Sequence, residues 1–117
     1  MTQEKSFGTY SSARVANGIV FTSGKIGLNS DGERPEEFAD EVRAALASLA
    51  ATLEEFGSNM SQLLQVHCIL TDMSQFGEFN RVYTEVMPEP VPPRFAHGGD
   101  LVQNFRFEVV ATAKLVD

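Results

Sequence analysis

Two residues whose types suit chemistry stand fourteen positions apart, Arg94 behind Pro92-Pro93 and Glu108 inside Phe105-Arg106-Phe107-Glu108-Val109-Val110-Ala111. Two prolines in succession fix the backbone ahead of Arg94, so its guanidinium is delivered from a stiff turn. Around Glu108 the sequence alternates. Phe105, Phe107, Val109, Ala111, Ala113 and Leu115 fall on one face of a strand, and Arg106, Glu108, Val110, Thr112 and Lys114 fall on the other. A carboxylate near a fixed arginine could hold a small anion and activate a water beside it. Both residues matter most if that second face is a closed junction between subunits. The plainer alternatives are a surface arginine and a strand carboxylate paired with Arg106 or Lys114.

The elements that must position them follow from periodicity. Tyr10 to Ala16 and Ile19 to Ser23 read as strands joined at Asn17-Gly18, a dipeptide suited to a type I′ hairpin turn. Gly24 then marks a bulge or a close backbone approach before Lys25-Ile26-Gly27-Leu28. Pro35 to Phe56 reads as a helix, with Phe38, Val42, Ala45, Leu46, Leu49, Leu53 and Phe56 as its apolar stripe and Gly57 as its stop. Leu63 to Thr71 is expected as a strand with Leu64, Val66, Cys68 and Leu70 inward and Gln65, His67, Ile69 and Thr71 outward. Asp72-Met73-Ser74 caps a second helix with Phe76, Phe79, Val82, Tyr83 and Val86 on its apolar side, ended by Pro88, Pro90, Pro92 and Pro93. A short strand from Arg94 to His97, a turn at His97-Gly98-Gly99-Asp100 and a long strand from Phe105 to Val116 complete the chain.

This order predicts an α+β domain spanning residues 1–117, a mixed sheet whose first and last strand pairs are hairpins, and both helices on one face. The sheet's second face, bearing Ile69 and Val110 beside Gln65, His67 and Thr112, is too apolar for water and too polar for a core. It predicts an oligomer interface.

Composition narrows the function. With 43% hydrophobic residues the chain can build a core, and 21% charged residues argue against disorder. Nine Lys and Arg against sixteen Asp and Glu give a net charge of −7, which disfavours nucleic acid as the main partner. Cys68 is the sole cysteine, so no intrachain disulfide forms, and its strand position reads as packing. His67 and His97 lack clustered carboxylates and do not make a metal site. Met1 to Ser6 is no signal peptide, no stretch is long and apolar enough to span a membrane, and the expected location is cytoplasmic.

Several segments together resemble the Rid (RidA/YjgF) family. Gly8-Thr9-Tyr10-Ser11 is similar to its N-terminal Gly-Pro-Tyr segment, and Phe21-Thr22-Ser23-Gly24-Lys25-Ile26 to its Thr-Ser-Gly-Gln-Ile strand. Phe79-Asn80-Arg81-Val82-Tyr83 resembles its Asn-x-x-Tyr helix. Pro93-Arg94 and Phe107-Glu108-Val109 match the ends of its C-terminal signature. The resemblance implies a chorismate-mutase-like homotrimer with active sites at subunit clefts. It implies hydrolysis of 2-imino acids, of the 2-iminobutanoate or 2-iminopropanoate type, to 2-oxo acids and ammonia without metal or organic cofactor. By the same resemblance Arg94 pairs with the substrate carboxylate and Glu108 activates water, while Tyr10, Ser23, Gly24, Asn80 and Ala96 form the pocket. Ala96 stands where the best-known members have cysteine, and His97-Gly98-Gly99-Asp100 replaces an aliphatic stretch. A sensor of small carboxylates and an endoribonuclease are the rival readings.

Overall fold

Asn17 and Gly18 both adopt positive φ, 52° and 80°, the backbone state that a two-residue hairpin with matched twist requires. They join β1 (Ala13–Ala16) to β2 (Ile19–Thr22), an antiparallel pair in which Ala16 faces Ile19. A computed structural model describes residues 8–117 of the chain. The reading of Met1 to Ser6 lies outside the described residues. Five strands form one mixed sheet in the order β1-β2-β5-β3-β4, with α1 (Phe38–Glu55) and α2 (Phe76–Val86) as its helices.

β5 (Phe107–Lys114) lies between β2 and β3 (Leu63–Leu70), antiparallel to both, so β2 and β3 run parallel with α1 as their crossover. β4 (Arg94–Gly98) pairs parallel with β3, and α2 makes that crossover. The expected hairpin between the last two strands is therefore absent. The proline-rich connection lays β4 along the outer edge of β3, where Val66 N–H bonds Pro93 O and Gly99 N–H bonds Leu70 O. β3 thus separates β4 from β5. Just past Gly24 the chain makes an isolated bridge to β5, between Lys25 and Val109.

Val42, Leu46, Leu49 and Leu53 of α1 and Phe79 and Val82 of α2 are fully buried against Val20, Val66, Cys68, Leu70, Phe107 and Val109 of the sheet. Both helices share this side, which leaves the other side of the sheet open. α1 starts later than Pro35, because the carbonyls of Pro35 and Glu36 accept from Arg106 Nη2 at 2.9 and 3.1 Å and Glu37 is extended. It ends in a Schellman motif, with Gly57 at φ 90°, Ser58 N–H bonded to Leu53 O and Gly57 N–H to Glu54 O. A bulge between Leu63 and Gln65 turns Leu63 inward and leaves Leu64 exposed, the reverse of the simple alternation. Cys68 is buried, and burial pushes its thiol up to about 12 against the opposing pull of Arg94, so it stays a protonated packing residue.

Candidate active site

Arg94 opens β4 in register with Val66, so its side chain turns to the helix side at the sheet's edge. There it is held from two directions. Nη2 donates to Asn80 Oδ1 of α2 at 2.6 Å. The guanidinium carbon lies 4.6 Å from the Tyr83 ring centroid, 5.1 Å from Phe79 and 5.8 Å from Phe76, within cation–π range of all three. Asn80 and Tyr83 are three residues apart on α2 and so flank one spot. Tyr83 Oη is buried without a hydrogen-bond partner, and burial first, with Cys68 adding, raises its pKa to about 12. Ala96, two residues on, faces the same side and packs against the core. This arginine is no ordinary surface residue: one of its five N–H donors goes to Asn80, and among the described residues no carboxylate pairs with it.

Glu108 is in register with Ile69. Val66 and Ile69 are three residues apart on β3, so the side chains aligned with them leave the sheet on opposite faces. Glu108 therefore projects from the open face, away from Arg94. It lines a cavity of about 440 Å³ with Tyr10, Ser23, Gly24, Asp100, Leu101 and Val102. Gly24 is what lets it lie there, since a Cβ at that position would run into the Glu108 carboxylate. Ser23 is anchored, its N–H and Oγ both donating to Ser12 O at 2.9 and 3.1 Å. The expected competitor Arg106 donates from Nε to Glu41 Oε1 at 2.6 Å and from its backbone N–H to Glu41 Oε2 at 2.8 Å. Arg106 is thus committed to α1, and Glu108 is left to the cavity.

The seven expected site residues fall into two groups. Tyr10, Ser23, Gly24 and Glu108 share the cavity; Arg94, Asn80 and Ala96 lie on the helix side. One chain does not bring Arg94 and Glu108 together, so an anion and its attacking water cannot be served by both within one copy. Asp100, named from the sequence as the end of a turn that departs from the family pattern, lines the cavity too, as do Leu101 and Val102, which were not singled out.

Comparison with known proteins bears on this arrangement. The family model described as Endoribonuclease L-PSP matches residues 1–115. The chain is 37% identical over 89 residues to Protein mmf1, mitochondrial, of Schizosaccharomyces pombe, covering 76% of this chain and 55% of that protein. The chain belongs to the Rid (YjgF) family. It is 29% identical over 111 residues to Reactive Intermediate Deaminase A, chloroplastic, of Arabidopsis thaliana, covering 92% of this chain and 59% of that one. It thus spans just over half the length of these two relatives. Among solved structures, a YjgF family member from Neisseria meningitidis superposes with a TM-score of 0.86 at 29% identity, covering 98% of this chain and 97% of its own. Yeast Mmf1 gives a TM-score of 0.89 at 26% identity, covering 97% and 92%. The Rid family fold is therefore shared over nearly the whole chain. Mitochondrial and chloroplastic are the locations in the two relatives' names, unlike the cytoplasmic expectation; among the described residues no helix is long and apolar enough to cross a membrane.

Proposed function

We propose that this Rid-family chain is an enamine/imine deaminase, hydrolysing reactive 2-imino acids to 2-oxo acids and ammonia. The carrying observation is the pair of complementary half-sites, a guanidinium held by Asn80 and aromatic rings, and a carboxylate seated over Gly24 in a cavity. The planar fork of Arg94 suits a bidentate pair with the substrate carboxylate. Glu108 accepts a proton from the attacking water. An imine hydrolyses readily once protonated, so holding water and substrate together supplies most of what is needed.

Because the half-sites face opposite ways, this reading requires other copies of the chain, the Arg94 half of one meeting the Glu108 half of the next, and the family resemblance implies that the assembly is a homotrimer. The open face supports such a covering. Phe21 and Phe95 are 47% and 48% exposed there, beside His67, Val110 and Thr112. The net charge of −7 weighs against ribonuclease activity, the word in the family's description.

The test is ammonia release from imines generated in situ by a dehydratase, with and without this protein, beside sedimentation equilibrium. A rate above the buffer control and a mass three times that of the chain are expected. Ligand binding without added ammonia release would favour a sensor, and a stable monomer would remove the shared site. Gly24→Ala should lower turnover about a hundredfold by displacing the Glu108 carboxylate. Its melting temperature should stay close to wild type, since the flexible end of Glu108 can move aside.

A further inference from the structure

His67 and His97, thirty residues apart in sequence, meet on the open face of the sheet. Parallel pairing sets His67 beside Phe95 and Ile69 beside His97, and these side chains all leave β3 and β4 on that face. The His67 ring stacks on Phe95 with centroids 4.1 Å apart, and its Nε2 lies 2.7 Å from Nε2 of His97. On the far side of its ring, His97 Nδ1 lies 2.8 Å from Gly98 O.

These contacts define where protons can sit. A carbonyl only accepts, so His97 Nδ1 carries a proton and donates it to Gly98 O. Neutral His97 then presents a bare Nε2, and the proton between the rings belongs to His67 Nε2. His67 Nδ1 is left bare. A first added proton goes there and leaves the bridge intact, now charge-assisted. A second has only His97 Nε2 to go to, where it would set N–H against N–H. The contact must then open. The pair holds one extra proton and not two.

The surroundings make charge costly. Burial first, then the charge of His97, lowers the pKa of His67, while the Glu108 carboxylate on β5 opposes them. Glu108 is the charged group facing the pair from that neighbouring strand; the adjoining Gln65, Val110 and Thr112 are uncharged. Among the described residues no third His, Cys, Asp or Glu joins the pair in a group able to hold a metal ion.

We infer that the His67–His97 pair makes self-association of the open face proton-sensitive, firm while the pair is bridged and weakened once acid opens it. This rests on the proposed covering of that face by other copies. The sign follows from linkage. A histidine harder to protonate in the covered state than in the uncovered chain contributes association free energy that is full above its uncovered-chain pKa, which for His67 lies below the ordinary imidazole value, and that is lost as pH falls through it. Overall charge works the other way. The chain carries −7 at pH 7 with an isoelectric point near 4.7, so acid reduces repulsion between copies. Dissociation driven by acid would therefore point to a local group rather than to net charge.

Sedimentation equilibrium of the full chain, His67→Gln and His97→Gln at about pH 7.5 and about pH 5.5 tests this, with circular dichroism at both. Wild-type association should weaken about tenfold per copy on acidification, and either variant should lose most of that response. Association that is unchanged or stronger in acid, that weakens equally in both variants, or that fails only because the chain unfolds would overturn the inference. A chain monomeric at both pH values removes the assembly reading itself, whereas a trimer indifferent to pH removes only this device.

Discussion

Arg94→Ala and Glu108→Gln are each expected to lose most of their activity toward 2-imino acids when pure, and to regain part of it when mixed. Loss of the charge-assisted grip on the substrate carboxylate removes about 1.5–3 kcal/mol, roughly ten- to over a hundredfold in rate. Arg94→Lys should also lose much, because a point charge cannot make two parallel hydrogen bonds. Glu108→Gln keeps the shape and loses the proton acceptor. In a ring of three copies joined head to tail, each site draws Arg94 from one copy and Glu108 from the next. Random equal mixing by subunit exchange then leaves both intact at about one site in four, so about a quarter of wild-type turnover returns. Arg94 and Glu108 acting within one chain would predict no recovery at any ratio. Wild-type-like turnover in either pure variant would remove its residue from the mechanism.

The sequence carried the local structure of this chain well and its long-range pairing less well. The positive φ of Asn17 and Gly18, the stripe from Phe38 to Leu53 and the stop at Gly57 are all set within a few residues, where periodicity and turn chemistry act. The partner of β4 is not. A short strand after a proline-rich connection can pair with whichever edge the fold offers, and here it takes β3 rather than β5. The bulge at Leu63/Gln65 likewise depends on the neighbouring strand, so alternation alone put Leu64 on the wrong side. For the site, the motif residues were legible, but their separation onto two faces was not, because it depends on which β3 residue each strand is aligned with. The contact between His67 and His97 is a consequence of that same parallel register and leaves no local trace.

Glu41 left a trace that went unread, and it carries the largest expected effect on stability. Three residues after Phe38 and four before Ala45, it falls inside the apolar stripe of α1, and it is fully buried. Its two carboxylate oxygens take the Nε and the backbone N–H of Arg106, the residue just before β5. Glu41→Ala would leave a largely buried guanidinium with the carbonyls of Pro35 and Glu36 and the Phe38 ring but no carboxylate, and it would orphan the Arg106 N–H. Breaking such a pair from one side should cost about 3–5 kcal/mol in urea unfolding. Replacing both partners by leucine should cost less, because no charge is then left buried alone and only the backbone N–H at position 106 loses its acceptor. Turnover separates anchoring from mere filling. Arg106 lies two residues before Glu108, so the double leucine variant should remain folded yet lose activity if the pair fixes where β5 begins. A single-variant loss below about 1 kcal/mol would mean that solvent reaches Arg106 and that the pair anchors nothing.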